Sequence, residues 1–593
     1  MTAPVRPPMR PAPGPRPGPD RRVSAAALVL VGIVVVTALR SGALLGYSNW
    51  IIDEEHIVSI AAGFLGFDLD PRWFNYHPLP MYVLGAVYQG IYLAARAVGM
   101  VTSRVEFASL LYGDDAVFYV PAKLLGSFAY TAGCAVLAGI AWRRTRSRAG
   151  TLIVFVAPLF LADGIASATH VRNDSFVFLF LALTAYFACF ADKRPTTAML
   201  AVVCCAAAVA SKVPAVVLVP VLFLRLALDA RAGALRWRHL AWGAALFAAA
   251  LFLFMPYAFL DFAAYRPALE RLHARALEGG VQMGKVAYTG LAAKLGKLGG
   301  ALVAQTGWVP VAATAGYALL ALLRDRAAAY ALLFPLAYLA AFATSATLDA
   351  YWLRPVYPFL FLFPVLLVLE GAGPLAERAG ARLRLPAAAL RGLGLALVAM
   401  IFLAALAPNL PRARAAAVPQ PEDTRGVASH WIRTHLPPGT RIVMVGWLGH
   451  YLPRVVGADP LATLWLYGYP YDHVFQNRLL MEGFRAYYRH ASRTEPVYRL
   501  VPLADSIRRG FRLEGLPLRA GDYVVISSRI YARYERGPVT VRSPELAAKA
   551  RAFYAYIRSQ EPVRTFTGNG PTIQVYRMRE SAPPEVEGTP PAP

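Results

Sequence analysis

Charge is scarce in this chain of 593 residues: Asp, Glu, Lys and Arg together make up 16% of it, against roughly a quarter in soluble domains. With 57% of residues hydrophobic and a mean hydropathy of +0.44, that scarcity excludes a soluble multidomain enzyme. Cysteine is nearly absent. Cys134, Cys189, Cys204 and Cys205 all lie inside apolar runs with no metal-ligand spacing, which excludes a disulfide framework, a zinc site and thiol chemistry. There is no Walker loop, no nucleotide fingerprint after a strand and no HExxH, which argues against a cytoplasmic ATP-driven machine. Acids are also outnumbered, 35 to 60, giving a formal charge of +25. A charge of that sign suits nucleic acid or an anionic membrane, and its placement decides between them.

What is there is a series of apolar runs of about 20 residues, the length that crosses a bilayer as a helix. Residues 1–22 are mostly Pro, Arg and Gly, a disordered basic tail by composition. The run from Val23 to Leu39 reads as an uncleaved first crossing, and the arginines before it place the N-terminus in the cytoplasm. Leu79–Val98 looks like a second crossing. If it spans, however, Arg143, Arg144, Arg146 and Arg148 after the helix near Ala122–Trp142 fall outside, against the positive-inside rule. It therefore reads as an interfacial helix, which Tyr82, Tyr88 and Tyr92 suit. From there Lys193/Arg194, Arg231/Arg236/Arg238, Arg324/Arg326 and Arg378/Arg382/Arg384 all fall on the cytoplasmic side. The opposite loops carry Asp53, Glu54, Glu55, Asp68, Asp70, Glu106, Asp114, Asp115, Asp174, Asp261 and Asp349. Much of the positive charge is orientation charge, so no nucleic-acid partner is expected.

The fold class expected is a polytopic α-helical membrane protein with about 11 crossings, in the inner (plasma) membrane, followed by an extracytoplasmic C-terminal α/β domain. Its boundaries read as 1–22 tail, 23–410 transmembrane domain with a first external loop at 47–121, 411–580 soluble domain, and 581–593 a Pro/Glu-rich tail. In the soluble domain, Asp423–His435 and Glu545–Arg558 read as helices, and Arg441–Val445, Asp522–Ser527 and Thr572–Tyr576 as strands.

The densest chemistry follows the first crossing. Asp53-Glu54-Glu55-His56 precedes an amphipathic stretch, Ile57 to Leu65, expected to lie flat on the membrane with its acidic first turn at the water boundary. Acids there cap a helix, or provide a general base and an acidic partner at a lipid/water interface. His170-Val-Arg172-Asn-Asp174 occupies the next external loop, and helix packing would bring it to the first loop around one polar pocket. Lys212 and Arg354 are external cations at helix ends, snorkelling anchors or partners for a lipid phosphate. Trp73-Phe-Asn-Tyr76-His77-Pro-Leu-Pro80 fits an aromatic belt, with His77 a hydrogen-bonded interface residue, an orienter of an acid or a metal ligand. Asp163, inside an apolar run, hints at a transport path.

Taken together these residues resemble the GT-C glycosyltransferases, especially the bacterial relatives of protein O-mannosyltransferases and the lipid A aminoarabinose transferase. The resemblance runs, in order, through Asp53-Glu54 after the first helix, Phe74 to Pro80 before an interfacial helix, Arg172-Asn-Asp174, and Tyr351-Trp-Leu-Arg354-Pro-Val-Tyr-Pro358. It continues through Asp423 to Ile432, Pro437-Pro-Gly439 and Asp522 to Ser528 in the last domain. It implies transfer of a sugar from a polyprenyl phosphate to a lipid, glycan or protein acceptor on the outer face, with inversion. Asp53 matches the catalytic first-loop Asp of the family, and Glu54 and Asp174 join it in the catalytic set. Lys212, Arg172 and Arg354 are the candidates for the donor phosphate, and Tyr76, His77 and His170 for substrate contact. No cofactor is required by this chemistry, and a divalent metal ion, with Asp174 as a ligand, is left open. The alternative is a multi-pass transporter or flippase of a polyprenyl-linked glycan, for which Asp163 is the argument.

Overall fold

The computed structural model describes residues 31–41, 54–278, 290–324, 326–343, 350–371, 386–416, 422–446, 451–467, 472–503, 518–535 and 544–579. Asp53 and Asp349 lie outside the described residues, as do Arg378, Arg382 and Arg384. The described chain is mostly helical, and a six-stranded sheet is formed by its last third.

The apolar helices run alternately up and down between two polar ends. The longest, Ala116–Thr145, starts after Asp115, which pairs with Arg454 of the sheet region, and finishes at Arg143 and Arg144, which pair with Asp192 and Glu370. A helix of that length rises about 45 Å, enough to cross a bilayer. Asp174–Ala185 continues through a π turn, Tyr186–Phe190, back to that far end, Pro195–Ser211 returns to the sheet end, and Leu218–Arg231 descends to the ion pairs of Asp229 with Arg225 and Lys193. The buried core between the ends is apolar, built from residues such as Leu137, Leu181, Val202, Leu222, Phe361 and Leu366. Each such side chain contributes roughly 1.5–3 kcal/mol on burial from water. Four described helices are long and apolar enough to cross a membrane, or five if the sharply bent pair Leu291–Thr306 and Trp308–Leu323 is one span, and further apolar helices have 10–17 residues. The expected count of spans thus meets several helices shorter than a full crossing. Arg148–Phe160, for example, ends in a 3-10 turn closed by the extended Leu161, and Asp174–Phe190 ends in a π turn.

Leu79–Ala97 is helical, as expected of the interfacial segment. Its Tyr88 hydroxyl donates to the carbonyl of Phe118 at 2.8 Å and its Tyr92 ring packs on Phe107. Both flanks stay at the sheet end, so this helix does not pass to the other end of the bundle. The preceding Glu54–Gly63 helix differs from expectation. It does not lie on a surface with its acids in water: Glu54 and Glu55 are 0% exposed, and so is almost all of its length buried. The reason is tertiary. The Leu79–Ala97 helix covers one side of it and the segment 472–494 of the sheet region covers another, so its apolar face meets protein rather than lipid.

The sheet has the order β2-β3-β1-β4-β6-β5, where β1 is Arg441–Met444, β2 Val456–Gly457, β3 Val497–Pro502, β4 Tyr523–Ser527, β5 Glu561–Phe566 and β6 Ile573–Arg577. Strands β2, β3, β1 and β4 are parallel, with Val443 opposite both Val501 and Val524, while β6 and β5 join antiparallel. The central strands are near-continuous apolar runs because helices cover both faces. Asp423 caps the Thr424–His435 helix by accepting from the Arg425 N–H at 2.8 Å, and Asn477 caps Arg478–Thr494 by accepting from Leu480 at 3.1 Å.

The Arg478–Thr494 helix docks closely on Arg104–Gly113. Glycine makes this approach: a Cβ on Gly483 would stand 3.0 Å from Ala108 and 3.1 Å from the backbone nitrogen of Ser109. Gly483→Val should therefore lose about 1–3 kcal/mol through overpacking against backbone that has no room to retreat. The measurement is the apparent melting temperature in detergent together with trypsin cleavage of the sheet region. A variant that melts and resists trypsin like the wild type would contradict this packing.

Candidate functional site

Four loops meet at the sheet end of the bundle, and buried polar contacts tie them together. From the first loop, Glu54 Oε1 accepts from the backbone N–H of Val171 at 2.9 Å, and Oε2 faces Lys123 Nζ at 3.6 Å. Lys123 projects from the second turn of Ala116–Thr145 and is 1% exposed. Breaking such a pair from one side costs about 3–5 kcal/mol, because the remaining charge cannot recover its water. The same loop is anchored at its other end by Asn173, whose Nδ2 donates to the carbonyls of His77 at 3.2 Å and Ser211 at 3.0 Å.

Asp174 opens its helix at the first position, where the partial positive charge of the N-terminus favours a carboxylate. Lys212 follows the last residue of Pro195–Ser211 in an extended conformation, ahead of the 3-10 turn Val213–Val217. That swings its ammonium to Asp174 Oδ1 at 2.5 Å, with the side chain 17% exposed. The fourth loop brings Tyr351 under the guanidinium of Arg172, 4.4 Å from the ring centre. Arg354 lies 5.8 Å from the same ring and binds Asp163 Oδ1 through Nε at 2.8 Å. Asp163, the residue that hinted at a transport path, is thus held in a buried ion pair. A narrow cleft lined by Pro80, Leu84, Ala122, Arg172, Asn173 and Phe176 opens beside these contacts.

The structure therefore brings Glu54, Arg172 and Asp174 together, with Lys212 on Asp174 and Arg354 one aromatic ring from Arg172. Asp53 lies outside the described residues, directly before Glu54. His77 is buried, with Nδ1 on the Val209 carbonyl at 2.5 Å and Nε2 3.2 Å from the Tyr265 hydroxyl, so its ring is engaged in holding the loop. Tyr76 is half-buried with its ring 5.3 Å from Trp73, and His170 is half-buried in the Val171 loop. Among the described residues no three His, Cys, Asp or Glu side chains gather as metal ligands would.

Two residues of this end were missed in the sequence. Lys123 was hidden because a span begun at Ala122 puts it at a helix end, where a lysine is ordinary; the helix in fact starts at Ala116. An ionisable residue inside an apolar helix is the signal that finds it. Arg40 ends the first described helix and donates to Thr131 Oγ1 at 2.9 Å, to Ser167 Oγ at 3.2 Å and to the Gly164 carbonyl.

Behind the acids, His56 stacks on Trp73 at 3.9 Å, and His473 of the sheet region lies 5.6 Å from it with Nε2 2.9 Å from the Ser59 hydroxyl. Burial lowers both imidazoles to about 3, with the mutual presence of His56 adding to the effect on His473, and burial likewise lowers His77 to about 4 against an opposing bond to Val209. These rings are neutral when folded and protonate on unfolding below their ordinary value near 6.5. Their contribution to stability is full above about pH 6.5 and declines as pH falls toward 4, by roughly 1.4 kcal/mol per pH unit for each ring. The apparent melting temperature should fall steeply between pH 7 and 4, less so in His473→Asn; equal slopes for the two proteins would contradict the assignment.

No family model matches the chain, and no curated protein matches it in sequence. Among solved structures, 93% of the chain is similar to 98% of ArnT from Cupriavidus metallidurans, in the apo state (14% identity, TM-score 0.49) and bound to undecaprenyl phosphate (14% identity, TM-score 0.47). A further 92% alignment of the chain covers 74% of the archaeal oligosaccharyltransferase AglB from Archaeoglobus fulgidus in complex with an inhibitory peptide and a dolichol-phosphate (12% identity, TM-score 0.46).

Proposed function

We propose that the chain is a membrane glycosyltransferase that moves a sugar from a polyprenyl-phosphate donor to a lipid, glycan or protein acceptor on the extracytoplasmic face, with inversion. The observation that carries this is the bond from Glu54 to the Val171 loop, which sets the acidic turn beside Asp174 and Lys212 at one end of apolar helices. The motif order that resembles the GT-C enzymes falls on these same loops. On this reading the sheet end is the outer face, because the arginines that follow Ala116–Thr145 lie at the opposite end, where the positive-inside rule places the cytoplasm.

Inversion needs a single displacement. The acceptor hydroxyl attacks the anomeric carbon, a carboxylate takes its proton, and the bond to the phosphate oxygen breaks with the electron pair leaving on the lipid phosphate. Asp53, one residue before the buried Glu54, is the base, a role that accelerates transfer by about 10² to 10⁴. Glu54 is committed to Val171 and Lys123 and holds the turn. The departing phosphate is already an anion and needs cations rather than a general acid. Lys212 spends one of its three donors on Asp174 and keeps others for phosphate oxygens, and Arg172, its flat face on Tyr351, is a second cation for the same group. Arg354, bound to Asp163, supports the phosphate site by fixing the loop that carries Tyr351.

Purified protein supplied with a panel of polyprenyl-phosphate sugars and analysed by mass spectrometry should yield one transferred sugar. Asp53→Asn should abolish transfer, by at least about 10² in rate, while expression and donor binding persist; full turnover by this variant would remove Asp53 as the base. Lys212→Ala should weaken donor binding by about tenfold or more, the loss of one charge-assisted contact, and unchanged donor affinity would take Lys212 out of the site.

A further inference from the structure

Arg454 belongs to the sheet region, just before β2, but its ionic partner does not. Its Nη1 lies 2.8 Å from Asp115 Oδ2, with the two side chains 11% and 10% exposed. The guanidinium also rests 5.2 Å from the Tyr467 ring centre, and the Tyr467 hydroxyl shares a 2.6 Å hydrogen bond with that of Tyr487. Arg454 is therefore fixed on its own side before it reaches across. Asp115 in turn begins the helix of Lys123: its carbonyl accepts from Phe118 at 2.9 Å and Tyr119 at 3.0 Å, and Lys123 stands two turns further on, holding Glu54.

Glu55 sits in the same enclosure, wholly buried. Burial holds its carboxyl well above the usual carboxylate range; Arg454 and Arg425 oppose that rise, while Glu54 and Asp115 add to it. Arg425 is itself bound to Asp423 by two bonds of 2.7 Å. Among the described residues the charged groups that face one another here are Glu54, Glu55, Asp115 and Asp423 against Lys123, Arg425 and Arg454. With Glu55 held above the usual range, three carboxyls face three cations in this buried layer, so loss of one cation leaves an acid uncompensated.

We propose that Arg454 is a positioning residue for the catalytic turn: by fixing Asp115 at the head of the Ala116–Thr145 helix, it sets Lys123 in place for Glu54, whose other oxygen holds Val171. This rests on the transferase reading, and it gives the sheet region a part in transfer that does not require it to touch substrate. Loss of Arg454 leaves Asp115 buried without the cation that meets it from the sheet region, so the head of the helix loses its anchor and Lys123 its fixed place against Glu54.

The test uses full-length Arg454→Met and Arg454→Lys in lipid nanodiscs, assayed with the donor that the wild type consumes. Arg454→Met should lower kcat about tenfold or more with KM for the donor within about threefold, and Arg454→Lys should recover much of the lost kcat. A loss carried by KM with kcat unchanged, or a lysine variant no better than methionine, would overturn the proposal. If Arg454→Met folds poorly, Arg454→Met/Asp115→Asn, which removes both members of the ion pair, should recover at least about half of the lost melting temperature. Additive losses in that double variant would overturn the proposal too. The melting comparison also separates the two claims: a wild type that transfers no sugar ends the transferase reading, whereas compensation between Arg454 and Asp115 still upholds the anchoring and additivity removes it.

Discussion

The structure turns on a carboxylate with no water around it. Glu54 reaches Val171 on one oxygen and Lys123 on the other, and it does so from a helix enclosed by protein on every side. A lone charge in such a place is untenable, so the geometry of its two partners is imposed on the first loop, the second loop and the longest helix together. Once Glu54 is set, Asn173 is close enough to bind the carbonyls of His77 and Ser211, Asp174 heads its helix, and Lys212 folds onto it. Four separate stretches of chain thereby become one polar floor.

The division of charge between the two ends gives this floor its setting. At the far end, Arg143 with Asp192, Arg144 with Glu370, and Arg225 and Lys193 with Asp229 stitch the short turns together, and the Tyr317 hydroxyl adds a 3.1 Å bond to Glu370. All but Arg225–Asp229, which lies within one helix, join separate elements across the turns. At the sheet end the loops are long, they interlock, and the sheet region closes over them. That closure gathers Lys212 and Arg172 with the acids at this one end.

Much of this was legible in the sequence, and the exceptions have one cause. The strands at 441–445 and 522–527, the capped helix after Asp423 and the helix that opens at Leu79 all follow from local chemistry: β-branched runs, an Asp at an N-cap, proline at a first turn. The floor residues Asp174 and Lys212 also stood out, because charges at the ends of apolar runs are few enough to notice. What was not legible is burial set by distant chain. The Glu54–Gly63 helix has the pattern of a surface-lying helix, and only the covering segment 472–494 makes it internal. Arg454 lies 339 residues from Asp115, and no local pattern in either stretch marks the pair. Arg148–Phe160 and Asp174–Phe190 end in a 3-10 and a π turn short of a full crossing, which is one reason a count of runs exceeds the count of full-length spans among the described residues.

A structure determined with a polyprenyl phosphate bound tests the central claim most directly. The account predicts the phosphate within hydrogen-bonding reach of Lys212 and Arg172, with the Asp53–Glu54 turn facing it across the floor and the isoprenoid chain running between helices. A phosphate seated instead against Arg143 and Arg144 at the opposite end, with the sheet end empty, would contradict it.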